Sequence, residues 1–202
     1  MKFTRALPAV AALAVAAAAV PASAHEVVYQ VFLTGAAESP PNASAGLGVA
    51  LITFDLDLFT MQIQTTFAGL TGNVTASHIH CCTAVPGVGN VGVATQTPTF
   101  TGFPLGATFG SYDHTFDMTL ASSYNAAFIT ANGGTVSTAF TALINGIDAG
   151  RAYLNIHSTF APGGEIRGFL APVPEPASYG LMGAGLIALG AFMRRRKSPQ
   201  AR

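Results

Sequence analysis

Charged side chains are scarce in this chain, and the few that it has cancel one another. Asp, Glu, Lys and Arg together make up 9% of the 202 residues, and the formal net charge is zero. A nucleic-acid-binding surface needs concentrated positive charge, and the basic run of this sequence is confined to its last residues. We therefore exclude nucleic acid as a partner.

Two short segments resemble cofactor or catalytic motifs, but neither has the secondary structure around it that the motif requires. Residues 87–92 match the G-x-G-x-x-G pattern of dinucleotide-binding turns, but the following segment is broken by proline and the chain has no alternation of strands and helices. Ser77 beside His78 does not indicate a serine hydrolase, because neighbouring residues of a strand face apart. We expect a loop at 87–92 and a protein that is not an enzyme.

The N-terminal residues contain, in order, the three regions of a secretory signal peptide. Lys2 and Arg5 precede an apolar run at 6–20, and small residues follow at 22–24. We assign residues 1–24 to a signal peptide that signal peptidase removes, so that His25 begins the mature chain. A retained membrane anchor is the alternative, but the apolar run is short and ends at Pro21.

The C-terminal residues, 172–202, contain a second set of targeting features. An apolar, glycine-rich run of 17 residues, 177–193, is at the short end of what crosses a bilayer as a helix. A basic cluster behind such a helix remains cytoplasmic, which places the body of the protein outside the inner membrane. The residues before the run are Val173, Pro174, Glu175 and Pro176, and those behind it are Arg194, Arg195, Arg196 and Lys197.

This tail resembles the PEP-CTERM sorting signal of Gram-negative bacteria. The resemblance implies processing by an exosortase in the inner membrane, and then a place at the cell surface or in the extracellular polysaccharide matrix. A plain C-terminal anchor has the same hydropathy, so the motif at 173–176 decides between the two.

Residues 25–171 form one domain of ordinary size between the two signals. Segments rich in Thr, Val, Ile and Phe and separated by Gly and Pro predict short strands, with a hairpin at 48–55 and 61–67. Further strands are predicted at 27–33, 114–120, 152–157 and 165–170. One helical region is predicted at 122–146, with a break at Gly133-Gly134. Consecutive antiparallel strands at this spacing predict a β-sandwich or barrel.

Metal-capable side chains are densest at residues 77–82, which hold two of the five histidines and both cysteines. Alternation along a strand places His78, His80 and Cys82 on one face and Cys81 on the other. Imidazoles on one face suit copper or zinc, and a thiolate from Cys82 would favour copper(I). The alternative is that the histidines are hydrogen-bonded structural residues and the cysteines small apolar fillers.

The two cysteines are adjacent, which bears on their pairing. Across a trans peptide their Cα atoms lie about 3.8 Å apart, below the usual range for a disulfide. A bridge between them is therefore expected to be strained, and pairing between chains is the other outcome in an oxidising compartment.

The core resembles a chordin-type (CHRD) domain, a family of extracellular and bacterial exported proteins. The resemblance implies a fold and a location more than a chemistry, and Cys81-Cys82 departs from the glycine-bearing turn that usually follows His-x-His in the family. The matching residues are Gly35, Glu38, Pro40 and Pro41; Gly69, Leu70 and Gly72; His78 and His80; Gly150, Tyr153, Asn155 and His157; and Gly164, Glu165, Ile166, Arg167 and Gly168.

A second resemblance is to copper-zinc superoxide dismutase, a Greek-key β-sandwich with a His-x-His strand and a late histidine. It implies that His78, His80 and His157 correspond to copper ligands and Arg167 to the arginine of that enzyme. The bridging histidine and the other zinc ligands have no counterpart, so a mononuclear site is implied. Each ring would need its second nitrogen held by an acceptor, either Glu165 or a backbone carbonyl, and Asn155 would help frame the site.

The sequence thus predicts an exported surface or matrix protein. We expect an all-β, Greek-key, immunoglobulin-like and superoxide-dismutase-like sandwich with one short helix, between a signal helix and a transmembrane helix. It would act by binding an exopolysaccharide, a surface protein or a metal ion, copper or zinc. The alternative is a mononuclear copper redox enzyme of dismutase-like type that uses His78, His80 and His157.

Overall fold

The computed structural model describes residues 25–173, 185 and 186. The described part is mostly antiparallel β-structure, which confirms the predicted class. Two single turns of 3-10 helix occur at Gly35–Ala37 and Ala121–Ser123. The strands and helices are β1 Glu26–Thr34, β2 Leu47–Asp55, β3 Thr60–Ala68, β4 Val74–Cys81, β5 Gly110–Asp117, α1 Ala126–Ala131, α2 Val136–Asp148, β6 Ala152–Ser158, β7 Ile166–Phe169 and β8 Ala171–Pro172.

The described strands make one antiparallel sheet with the order β4-β6-β7-β1-β2-β3-β5, and β8 pairs with β1. The sheet curls, so that side chains of β4, β6 and β7 share one hydrophobic core with those of β1, β2 and β3. Burial of each large apolar side chain in this core contributes about 1.5–3 kcal/mol, before the cost of ordering the chain.

The predicted hairpin is confirmed as β2 and β3. Their register places Ile52 opposite Ile63 and Phe54 opposite Met61, and these four side chains are fully buried. The alternating polar residues face away from the core, as the period of two along a strand requires.

The strand predicted at 114–120 lies earlier in the chain, as β5 at 110–117. Its bounds follow from its partner, because β5 pairs along β3 from Gly110 opposite Phe67 to Asp117 opposite Thr60. The chain turns directly after Asp117, whose side chain accepts the backbone N–H of Thr119.

Two helices stand where one was predicted. Asn125 caps α1, and a reciprocal capping box between Thr135 and Thr138 begins α2. Gly133 and Gly134 separate the helices with positive φ angles, which a residue with a side chain rarely adopts. The apolar face of α2 packs into the core through Ala139, Phe140, Leu143 and Ile147.

The half of the sheet made by β4, β6 and β7 has two different faces. Ile79, Leu154 and Ile166 point into the core. The other face is polar, because directly opposed residues of neighbouring strands share a face, and His78 lies opposite Asn155 while Asn155 lies opposite Arg167. Loops cover this polar face and bury it.

The predicted end segments lie mostly outside the described residues. These are the signal peptide at 1–24, Pro174 to Pro176, the basic cluster at 194–197 and nearly all of the expected transmembrane helix at 177–193. Among the residues described, no helix has the length and apolar character that a membrane crossing requires. The N–H of Val173 donates to the carbonyl of Val28, so the chain leaves the domain beside β1.

Candidate metal centre

Three histidines converge on the polar face of β4 and β6. His78 and His80 are two residues apart on β4, and the register of the strands brings His157 of β6 opposite Ala76, which is two residues from His78 and on the same face. One ring nitrogen of each histidine lies within 4.8 Å of the other two. His78 and His80 are buried, whereas His157 is partly exposed.

The second nitrogen of each ring is held by a backbone carbonyl. Nδ1 of His80 lies 2.8 Å from the oxygen of Val91, and Nδ1 of His157 lies 2.9 Å from that of Pro162. Nε2 of His78 lies 2.5 Å from the oxygen of Pro98. A carbonyl oxygen only accepts, so each of these nitrogens carries the proton of its ring.

The remaining nitrogen of each ring therefore carries a lone pair. These nitrogens are Nδ1 of His78 and Nε2 of His80 and His157. The two Nε2 atoms lie 3.4 Å apart, and Nδ1 of His78 is buried without a hydrogen-bond partner. Two imidazole nitrogens bound to one zinc or copper ion at about 2.0–2.1 Å lie about 3.3–3.6 Å apart, which the pair from His80 and His157 matches.

Burial keeps these rings neutral. It lowers the pKa of His78, of His157 and of His80, in the last case to about 4. The carbonyl acceptors act in the opposite direction but do not offset the burial. A neutral imidazole is the form that coordinates a metal, so all three rings are ready to bind at neutral pH.

Tyr153 and Arg167 support the ring of His80 from neighbouring strands. Tyr153 of β6 stacks on His80 with centroids 4.9 Å apart, and the guanidinium of Arg167 of β7 lies 4.6 Å from the centroid of Tyr153. Arg167 also donates to the carbonyls of Ala37 and Gly89 and lies 3.7 Å from the carboxylate of Glu38. Both members of that ion pair are buried, so Arg167 is committed to the loops rather than to the histidines.

Glu165 does not hold a histidine, although it was one of the two expected acceptors. Its buried carboxylate accepts four hydrogen bonds, from the hydroxyls of Ser44 and Ser158 and the amides of Thr71 and Gly72. Burial raises its pKa, but these bonds together outweigh that effect and leave the pKa lowered. The other expectation, backbone carbonyls, is what the structure has.

Asn155 lies between the histidines and the buried ion pair. It is opposite His78 on one side and opposite Arg167 on the other, and its Oδ1 atom is buried without a hydrogen-bond partner. It therefore stands where it was expected to help frame the site.

The structure does not bring Cys82 to the histidines. Strand β4 ends at Cys81, so the alternation that would have placed Cys82 beside His80 stops one residue early. A disulfide joins Cys81 and Cys82 across a cis peptide bond, with their Cα atoms 3.0 Å apart. The Sγ atom of Cys82 faces α2, near the carbonyl of Ala142.

Comparison with known proteins assigns the family. The family model of the CHRD domain matches residues 29–170, and that of the PEP-CTERM protein-sorting motif matches residues 172–197. The chain belongs to the CHRD family. Its PEP-CTERM motif implies processing by an exosortase and export to the cell surface. Neither the curated proteins nor the solved structures contain a match.

The CHRD motif residues contact one another in the fold. Glu38 of the early loop pairs with Arg167 of the last motif, and Glu165 of that motif binds the amide of Gly72. Gly168 is required for close strand approach, because a Cβ atom there would overlap the backbone of Phe32 on β1. Glu38, Glu165 and Arg167 therefore brace loops and strand ends.

Sequence reasoning expected backbone carbonyls as one kind of acceptor but did not identify the residues whose carbonyls orient the histidines. The carbonyls are those of Val91, Pro98 and Pro162, which belong to loops and are independent of side-chain identity. A backbone acceptor leaves no residue signature. The prolines, which shape two of these loops without donating a hydrogen bond, were the available signal.

Proposed function

We propose that this exported protein uses its CHRD domain to hold one copper or zinc ion at the cell surface or in the extracellular matrix, with His78, His80 and His157 as ligands. The observation that carries the proposal is the convergence of three imidazole lone pairs. Each ring proton is already used by a carbonyl, so no donor within the cluster satisfies these lone pairs. A cation satisfies all three at once.

The donor set supports copper or zinc over other ions. Within the described residues the cluster consists of three imidazoles, without a carboxylate or a thiolate. Imidazole suits zinc and copper, whereas calcium, magnesium and manganese prefer oxygen ligands. The carbonyls that hold the second nitrogens fix each ring in the orientation that binding needs.

The proposed location rests on the PEP-CTERM motif at 172–197. We propose an inner-membrane intermediate with a cytoplasmic C-terminus, followed by release to the surface. Cell fractionation tests this step: the mature protein is expected in the surface or matrix fraction, and in an exosortase-deficient strain it is expected to remain with the inner membrane.

A mononuclear copper redox enzyme is the second candidate. The observation that favours it is that the three residues matched to the copper ligands of superoxide dismutase come together as that resemblance implies. The arginine does not follow the resemblance, because Arg167 is buried and bound to Glu38, Ala37 and Gly89. We therefore favour metal holding over superoxide turnover.

Metal analysis of the CHRD domain, residues 25–173, tests both candidates. All the described strand pairings lie within these residues, so the domain is expected to fold alone. We expect one equivalent of copper or zinc in the wild type, and less than a tenth of that in His80→Gln and His157→Gln. His114→Gln, which changes a histidine of β5 outside the cluster, is the matched control and is expected to retain the metal.

Two further measurements make the result decisive. The metal analysis is repeated in a His25→Gln background, because an N-terminal histidine can chelate copper through its ring nitrogen and its own amine. A superoxide assay of the copper-loaded domain separates the two candidates, since turnover well above that of His157→Gln would establish the enzyme. Absence of stoichiometric metal in the wild type at neutral pH would overturn both.

A further inference from the structure

A cavity of about 590 Å³ lies between the two helices and the end of β4. This volume is within the range of about 300–1,000 Å³ that is usual for small-molecule sites. The cavity adjoins the metal centre through Val91, whose carbonyl holds His80, but none of the three histidines lines it. It is therefore a separate site, and a ligand bound in it would not depend on the metal.

One wall of the cavity is apolar. It is formed by the disulfide of Cys81 and Cys82 together with Val93, Phe128 and Ala142. Helix α2 closes on the disulfide at Gly146, where a Cβ atom would overlap both sulfur atoms. The wall thus offers sulfur, aliphatic and phenyl surface to the flat face of a ligand.

The polar side chains of the lining are amides and a single cation. Asn132 uses its Nδ2 atom to bind the carbonyl of Phe128, which leaves its Oδ1 atom as an acceptor, and Asn145 is exposed on α2. Arg151 holds the carbonyl of Thr83 through Nε; in the part of the chain that the structure describes, its terminal nitrogens have no hydrogen-bond partner. The lining residues include no carboxylate, so the charge of the cavity favours an anion.

We propose that this cavity binds a sugar acid, that is, a small polyhydroxylated ring with a carboxylate, such as a hexuronate unit. The guanidinium of Arg151 would receive the carboxylate, since its planar fork matches two carboxylate oxygens. Amides both donate and accept hydrogen bonds, which is the combination that ring hydroxyls require, so Asn132 and Asn145 would bind the hydroxyls. The apolar face of the ring would lie on the wall formed by Phe128 and the disulfide.

Ligand-observed NMR and calorimetry with the domain 25–173 test the proposal. The probes are glucuronate and galacturonate, with glucose and galactose as neutral sugars and acetate as an anion without hydroxyls. We expect the uronates to bind at least about tenfold more tightly than either control class, because a charge-assisted hydrogen bond contributes about 1.5–3 kcal/mol. Binding is expected to weaken as salt is raised.

Variants locate the site. Arg151→Gln is expected to weaken uronate binding about tenfold or more and to abolish the preference over neutral sugars. Arg151 also holds Thr83, so a second pair of variants avoids a folding defect: Asn145→Ala removes an exposed amide and Ala131→Phe fills the cavity from α1. Both are expected to weaken binding, whereas Asn73→Ala, an exposed amide between β3 and β4, leaves it unchanged.

The outcomes separate the proposal from its alternatives. Equal binding of neutral sugars and uronates overturns the assignment of an acid, and equal binding of acetate overturns the assignment of a sugar. Uronate binding that survives both Asn145→Ala and Ala131→Phe overturns the location. An absence of binding by every probe overturns the proposal as a whole.

Discussion

Nε2 of His80 lies 3.4 Å from Nε2 of His157, while the Nδ1 atom of each ring donates to a backbone carbonyl. If the two neutral rings shared a structural hydrogen bond, one Nε2 atom would have to carry a proton and one carbonyl would lose its donor. The geometry instead leaves two acceptors facing each other. This is an arrangement that a bound cation would stabilise.

The first prediction is that metal stabilises the domain through His157. At a free metal concentration of 100 times Kd, binding adds about 2.7 kcal/mol to the free energy of unfolding, or about 5–10 °C in Tm for a domain of this size. In His157→Gln we expect no such gain. Calorimetry with metal and with chelator measures the difference.

A purely structural role for the histidines predicts another pattern. His80→Gln and His157→Gln would then lower Tm equally with metal and with chelator. His114→Gln serves as the control in both series and should keep the full metal-dependent gain.

The second prediction concerns the pH dependence of metal binding. Burial lowers the pKa of all three histidines from 6.5, and that of His80 to about 4. Protons compete with a metal for a ring only near and below its pKa, so affinity should change little as pH falls to 6.5 and should be lost as pH approaches 4. Titrations with a competing chelator of known affinity, repeated across this range, measure it. A loss of metal affinity centred at pH 6.5 would show that burial does not lower the pKa of these rings.

The alternation of β4 was sufficient to predict that His78 and His80 share a face, and the CHRD resemblance supplied His157. Neither could locate Cys82, because where a strand stops depends on its partner: β4 pairs with β6 only as far as Cys81 opposite Ala152. The hairpin of β2 and β3 could be predicted because its alternation and its turn are both local. By contrast, the displacement of β5 depends on its pairing with β3, which is distant in sequence.

The carbonyls that orient the histidines lay beyond sequence reasoning for a different reason. Val91 and Pro98 belong to one long loop between β4 and β5, and their positions depend on contacts made elsewhere. Arg167 binds Gly89 and Asn90 in that loop, and the amide of Asn90 binds Ser39. Arg167, a CHRD motif residue outside the histidine cluster, thus helps to place the loop whose carbonyl orients His80.

The third prediction is that the ionisation of Glu38, in its buried pair with Arg167, makes the free energy of unfolding depend on pH. Burial raises the pKa of Glu38 to about 7, against the opposing effect of Arg167. Between pH 4.5 and 7 the folded state therefore holds a proton that the unfolded state has lost, so the stability contributed by this group falls as pH rises. The total change is on the order of 3 kcal/mol.

The histidines titrate in the same pH range and change stability with the opposite sign. Comparison with Glu38→Gln isolates the contribution of Glu38, because the variant lacks this carboxyl group and keeps the histidines. The difference in unfolding free energy between wild type and Glu38→Gln should change across pH 4.5–7 and be constant outside it. Urea denaturation at a series of pH values in chelator gives this difference. A difference that is constant over the whole series would mean that Glu38 has an ordinary pKa.

The fourth prediction concerns Arg167 as a positioning residue. Arg167→Lys keeps the charge beside Glu38 but cannot hold Ala37, Gly89 and Asn90 together, so we expect a loss of about 2–3 kcal/mol in unfolding free energy. The loop that carries Val91 should also loosen and weaken metal binding at temperatures where the variant is folded. Tyr153→Phe keeps the stack on His80 but loses the contacts of its hydroxyl with the N–H and carbonyl of Val91, so it is also expected to weaken metal binding. If Arg167→Lys lowered stability with unchanged metal affinity, Arg167 would be a bracing residue alone.

The last prediction reverses a usual rule of helix stability. Replacing a glycine inside a helix by alanine ordinarily stabilises a protein by about 1 kcal/mol. At Gly146 of α2 the new Cβ atom would overlap both sulfur atoms of the Cys81–Cys82 disulfide, so we expect Gly146→Ala to lower the free energy of unfolding instead. Combining Gly146→Ala with Cys81→Ala and Cys82→Ala removes the obstacle, and the glycine substitution should then be neutral or stabilising. The coupling energy from this cycle measures how closely the helix packs on the disulfide, and additive effects would place α2 away from it.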